Sequence, residues 1–162
     1  MTDDIIILKS SGIPLYAKCY GGQTCKAHPD HALQSGFLAA LFSYSKETFS
    51  REGIKSVIFS DFKLDFKIDE EKDLIIVFTN PLDEDGDRIK KQLEKTHKAF
   101  IDKFESQLDS LTFSTEGFYE FGQDLINLKI VHNEAKKDVP LEKEPFWRKI
   151  LSHFRKKWYT FD

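Results

Sequence analysis

The sequence predicts an α/β (α+β) domain of about five antiparallel strands, with one helix on one face of the sheet and two on the other, in the order ββαβββαα. A short C-terminal helix follows. Three observations predict this. Short runs rich in β-branched and aromatic residues are bounded by Gly, Pro and Asp turns. Between and after them, apolar residues recur at helical spacing. The 162 residues include fifteen Phe, five Tyr and two Trp, enough for one core, since a chain of this length can bury roughly two-thirds of its unfolded surface.

Ile5 to Leu8, then Ser11-Gly12-Ile13-Pro14, then Leu15 to Tyr20 reads as strand, turn, strand, because Gly and Pro set the dihedrals a reversal needs. Gly21-Gly22 ends the hairpin. Pro29-Asp30 opens a helix over His31–Phe49 in which Leu33, Phe37, Ala40, Leu41 and Tyr44 form the core-facing row. A second apolar row, Leu38, Phe42 and Phe49, makes more than one face of this helix apolar. After Gly53 come three strands, Ser56–Ser60, Phe62–Ile68 and Leu74–Thr79. The middle one alternates, with Phe62, Leu64, Phe66 and Ile68 on one side and Lys63, Asp65 and Lys67 on a wet side. The last is continuously apolar and suits a central strand covered on both faces. Asp69–Asp73 between them is a charged hairpin loop.

Asn80-Pro81 stops that strand, and the acidic stretch Asp83–Asp87 suits the start of a helix carrying Ile89, Leu93, His97, Phe100, Phe104, Leu108 and Leu111. Ser114 and Thr115 are cap candidates for a further helix that buries Phe118, Phe121, Leu125 and Leu128 and ends near Asn133. Residues 1–133 are thus one domain, 134–144 a polar linker containing Pro140, and 145–162 a basic aromatic segment.

Composition excludes several functions. Lys plus Arg number 24 against 27 Asp plus Glu, a net charge of −3, so no strong field attracts nucleic acid. Cys19 and Cys25 make no disulfide framework, and a reducing cytoplasm is the simplest reading. Their spacing does not fit zinc, and His28 and His31 nearby have no second ligand pair downstream. The N-terminus is acidic, Ile5–Leu8 is too short for a signal segment, and nothing approaches the roughly twenty apolar residues of a membrane span. A cytoplasmic protein is expected, with peripheral membrane contact left open.

No catalytic, cofactor or metal residue emerges. Gly21-Gly22 lacks the remainder of a phosphate-binding loop. Asp83, Asp85 and Asp87 alternate as calcium ligands do, but Gly86 is misplaced and Glu94, at the closing position, lies inside the helix, so a helix-capping loop is the better reading. The five histidines form no local Ser-His-Asp or Cys-His grouping, and His97 on an apolar stripe reads as a hydrogen-bonded boundary residue. Lys90, Lys91, Lys95, Lys98 and Lys103 interleave with Glu94, Asp102 and Glu105 as a salt-bridged wet face.

The segment from Pro145 is the most unusual local feature. As a helix it places Phe146 or Trp147, Ile150, Leu151, Phe154 and Trp158 on one side, with Lys149, Ser152, Arg155 and Lys156 largely opposite. Five basic residues and one acidic residue from Phe146 onward give it +4, against −3 for the whole chain. Such a helix docks on its own domain, lies on an anionic membrane or enters a partner groove, with Trp147, Arg148, Ile150, Leu151, Phe154, Lys156 and Trp158 as its candidate contacts.

The element order over about 1–133, with Ile5-Ile6-Ile7-Leu8, Ser11-Gly12-Ile13-Pro14-Leu15, Ser35-Gly36-Phe37-Leu38-Ala39-Ala40-Leu41 and Leu74-Ile75-Ile76-Val77-Phe78, resembles longin domains. It is also similar to the longin-like proteins of archaea that carry eukaryote-like trafficking genes. Longin domains are noncatalytic modules of vesicle-trafficking SNAREs, adaptor small subunits, the signal-recognition-particle receptor and exchange factors for small GTPases. The segment after Glu134 is too short for the heptad-patterned helix of a SNARE.

The resemblance implies a protein-binding module with no cofactor, whose partner is a small GTPase, another longin or roadblock domain, or a second copy of itself. The matching surface would be the helix His31–Phe49, with Leu38, Phe42, Ser45 and Phe49 facing the partner. Phe42→Glu should then abolish association and leave the fold intact. The alternative is a small-molecule sensor of profilin-like or sensory α/β type, which would need a cavity of several hundred Å³ lined by phenylalanines.

Overall fold

The structure, a computed structural model, describes residues 2–21, 30–109 and 115–131. The first hairpin is β1 (Asp4–Leu8) and β2 (Pro14–Cys19). Helix α1 (His31–Thr48) crosses to the other side of the sheet, and β3 (Ser56–Ile58), β4 (Phe62–Asp69) and β5 (Leu74–Pro81) follow. Then come α2 (Gly86–Leu108), a 3₁₀ turn (Thr115–Glu120) and α3 (Phe121–Asn127). Every strand pairing is antiparallel, and the spatial order is β2-β1-β5-β4-β3.

The apolar runs of β1 and β5 explain why these strands lie in the middle. They pair Ile6 with Val77 and Ile7 with Ile76, and successive side chains serve opposite faces. Ile6, Leu8, Ile75 and Val77 pack with Leu64 and Phe66 of β4 and with Leu38, Ala39 and Phe42 of α1. Ile5, Ile7, Ile76 and Phe78 instead meet Ile89, Leu93, Phe100 and Phe104 of α2, with Phe118, Phe121 and Leu125 beyond. Those phenylalanines pack ring on ring, Phe104 lying 5.0 Å from Phe100 and 4.9 Å from Phe118. Each such burial removes enough apolar surface to contribute about 1.5–3 kcal/mol.

Caps and turns sit where the sequence places them. Asp30 accepts from the amides of Ala32 and Leu33 at the start of α1, and Asp85 accepts from Asp87 N–H at the start of α2. Gly12 (φ +89°) turns the first hairpin against α1, where an added Cβ would come 3.3 Å from Gly36 Cα. Gly12 and Gly36, one from each of two resembling motifs, therefore meet in space.

Four expectations need correction. The last helical stretch is part 3₁₀ turn and part α-helix; Phe118, Phe121 and Leu125 are buried as expected, but Leu128 is 37% exposed. Asp65, expected on a wet strand face, is buried and accepts from Ser56 Oγ at 2.5 Å and Asn80 Nδ2 at 2.9 Å. Those two donors satisfy a carboxylate that alternation alone would leave in water. The ion pairs of α2 reach other elements and not along the helix, with Lys67 on Glu94, Lys72 on Glu105 and Lys103 on Asp124. Finally, Cys19 is disulfide-bonded, which removes the cysteine argument for a reducing compartment.

The linker 134–144, the segment 145–162 and Cys25, His28, Leu111, Ser114, His132 and Asn133 lie outside the described residues.

Candidate interaction surface

Helix α1 carries two apolar rows, and the structure fixes which one faces the sheet. Leu38 is 1% exposed and Phe42 6%, with Ser35, Ala39 and Ser45 buried beside them. This reverses the expected orientation: Leu38, Phe42 and Ser45 belong to the core side. Small residues are the reason. Ser35 and Ala39, the small residues on the buried side, let the helix approach the sheet closely, which the bulkier row could not permit. Ser45 is satisfied within α1 by donating to Phe42 O at 2.8 Å, and Phe42 also lies under Lys46 Nζ, 5.9 Å from its ring centroid. Phe42→Glu would thus drive a carboxylate into the core and unfold the protein.

What α1 presents outward is the other row. Leu33 is 74% exposed, Phe37 55% and Tyr44 59%, with Ala40 also exposed between them. Their spacing puts them on one stripe. Phe49 at the C-cap is 76% exposed and sets its ring edge-on to Tyr44, 5.7 Å away, extending the stripe past the end of the helix. Of the four expected contact residues, Phe49 alone is on the surface. Leu33, Phe37 and Tyr44, expected in the core, are thus on the surface, and Ser35 and Ala39 are the sequence signal for this arrangement.

The remaining titratable groups have structural partners. His97 Nε2 meets Asp69 Oδ2 at 2.7 Å, tying α2 to the end of β4. Hydrogen bonds from Lys72 N–H and His97 overcome a desolvation effect and hold Asp69 below its ordinary carboxylate range. Asp85 acts as a helix cap, and among the described residues no three His, Cys, Asp or Glu side chains converge as metal ligands. The Tyr16 and Tyr20 hydroxyls bond each other, and burial pushes both phenols up.

A cleft of about 410 Å³ opens between α2 and the end of α3. Its lining is mainly charged and includes no phenylalanine. The buried phenylalanines that a sensor cavity would need instead fill the interior. Among the described residues, no helix is long and apolar enough to cross a membrane.

No protein-family model and no curated protein matches this sequence. Among solved structures, a chain of the mammalian SRP receptor structure is similar at 17% identity and a TM-score of 0.50, covering 79% of this chain and 91% of its own. A roadblock/LC7 domain from Streptomyces avermitilis is similar at 10% identity and a TM-score of 0.48, over 64% of this chain and 84% of that one. Myxococcus xanthus MglB is similar at 14% identity and a TM-score of 0.49, over 65% and 85%. At such identities the likeness is one of fold. The five-stranded antiparallel sheet, with α1 on one face and α2 and α3 on the other, has a longin-like fold.

Proposed function

We propose that this chain is a noncatalytic protein-binding module that presents the outer row of α1 to a small GTPase of a trafficking-type complex at the cytoplasmic face of a membrane. The observation that carries the reading is the stripe of Leu33, Phe37, Tyr44 and Phe49, each more than half exposed and gathered on one side of α1 and its C-cap. Contiguous exposed aromatics mark interaction sites, and such residues dominate interface energies. The class of partner is what the longin resemblance implies. A roadblock or longin domain, or a second copy, is the competing occupant, and the basic segment 145–162 would supply any membrane contact.

The test uses the intact chain as bait in extract of its source organism, loaded in parallel with GDP or a nonhydrolysable GTP analogue. Retention of a small GTPase that depends on nucleotide and is lost in Phe37→Glu and Phe49→Glu supports the proposal. Both positions are exposed, so thermal melting of the variants should match the parent. Retention unaffected by either variant refutes the surface. Self-association lost in both variants, with no GTPase retained, replaces the GTPase with a second copy.

A further inference from the structure

The cleft between α2 and α3 lies across the sheet from the α1 stripe, and a different set of residues builds it. Arg88, Lys91 and Lys95 line it from α2, and Lys129 lines it from the chain leaving α3. Arg88 has a partner, Glu84 at 3.6 Å. Among the described residues, Lys91, Lys95 and Lys129 have no ion-pair partner, unlike Lys67, Lys72 and Lys103 nearby. Two carboxylates, Asp85 and Asp87, also border the cleft, and Asp85 is engaged in capping α2. With Arg88 balanced by Glu84, three lysines face two carboxylates, which leaves the lining with a small positive excess that favours an anion.

Lys129 supplies an independent observation. Helix α3 ends with Lys129 N–H donating to Ile126 O and Ile130 N–H donating to Leu125 O, both at 3.0 Å. This pair of bonds is the Schellman arrangement, and it places Lys129 at the left-handed position, with φ +56°. Glycine is the relaxed residue there because it has no Cβ to clash. The cap thus holds Lys129 at the rim of the cleft, beside three other cations.

We propose that this cleft binds a compact polyphosphate-type anion, either free or as the headgroup of a membrane lipid, through Arg88, Lys91, Lys95 and Lys129. Lysines act on phosphate as rotatable point charges, and the Arg guanidinium can grip two of its oxygens at once. Cations closing on a volume of about 410 Å³ from two elements fit a compact, multiply charged group better than an extended acidic chain. Leu128, 37% exposed and also lining the cleft, gives one wall an apolar surface.

The test compares the full chain with Lys129→Gly and Lys91→Glu. One arm titrates inorganic tripolyphosphate calorimetrically at low salt. The other measures sedimentation with phosphatidylcholine vesicles, with and without phosphatidylinositol 4-phosphate. Binding of tripolyphosphate weakened about tenfold by Lys91→Glu and several-fold by Lys129→Gly is expected. Lys129→Gly should meanwhile melt at the same or a higher temperature, because glycine relieves the backbone. If vesicle retention requires the phosphoinositide and falls in the same two variants, the anion is a lipid headgroup; if only the tripolyphosphate arm responds, it is a free phosphate compound. Absence of binding in both arms, or binding that neither variant weakens, overturns the proposal. Because the basic segment 145–162 is present in all three proteins, vesicle binding due to that segment would be equal among them and would count against the cleft.

Discussion

Asp4 offers a stability test whose size follows from its surroundings. It is 4% exposed at the start of β1, between Cys19 of β2 and Thr79 of β5. Its Oδ1 has no hydrogen-bond partner among the described residues. Burial raises its pKa, and the nearby His31, a hydrogen bond with Gln34 and the Ile5 amide lower it without cancelling that effect, while Asp3 adds a small increase. The result is a carboxyl pushed up to about 6, against roughly 3.9 in an unfolded chain. The folded state therefore holds this proton more tightly than the unfolded state does. Stability is lost as pH rises from about 4 through about 6 and the loss is complete above that, reaching up to about 3 kcal/mol at 1.36 kcal/mol per unit. Asp4→Asn keeps the shape and removes the charge. At pH 8 the variant should be more stable by up to about 3 kcal/mol, or about 6–12 °C in melting temperature, and at pH 4 the advantage should vanish. Urea denaturation of parent and variant at both pH values measures this directly. Asp3, also raised by burial, titrates in both proteins, and its coupling to Asp4 is the smallest of the contributions named above. An advantage independent of pH, or a variant less stable at pH 8, would refute the reasoning.

Two further substitutions test the packing. Gly12→Ala places a Cβ 3.3 Å from Gly36 Cα at a φ of +89°, so it should cost about 1–2 kcal/mol, whereas Gly36→Ala, which meets nothing within 4 Å, should stabilise α1 by about 0.5–1 kcal/mol; opposite signs in chemical denaturation are the expected result. Phe104→Ala removes a ring that is 2% exposed and packed on Phe100, Phe118 and Phe121, and should lower the unfolding free energy by about 3–5 kcal/mol.

The parts of the fold legible in the sequence are those where one periodicity has one explanation. Leu74–Phe78 is apolar without interruption and becomes a strand buried on both faces; Ile89, Leu93, Phe100 and Phe104 form a single stripe and become the buried face of α2. The orientation of α1 was not legible from hydrophobicity, because both of its rows are apolar. What decides it is close approach, carried by Ser35 and Ala39, and size is a different property from hydrophobicity. Asp65 fails for a related reason: alternation assigns its face, but Ser56 and Asn80, distant in sequence, supply the hydrogen bonds that allow its burial. The cleft joins residues of α2 to Leu128 and Lys129, distant from them in sequence, so no local pattern reveals it.

The sheet itself gives the two proposed surfaces a further consequence. The α1 stripe is backed by one core layer, in which Leu38 and Phe42 meet Ile75 and Val77. The α2 side is backed by the other, in which Phe100 and Phe104 meet Ile76 and Phe78. Neither layer shares a side chain with its counterpart, because each residue of β1 and β5 serves one face. Two sites separated in this way and without common partners should perturb one another by no more than a few tenths of a kcal/mol. Phe37→Glu should therefore leave tripolyphosphate affinity unchanged, and Lys91→Glu should leave GTPase retention unchanged. Coupling between the two variants would mean that the central strands move as a unit when either surface is occupied, and the rigid separation inferred from their alternation would be wrong.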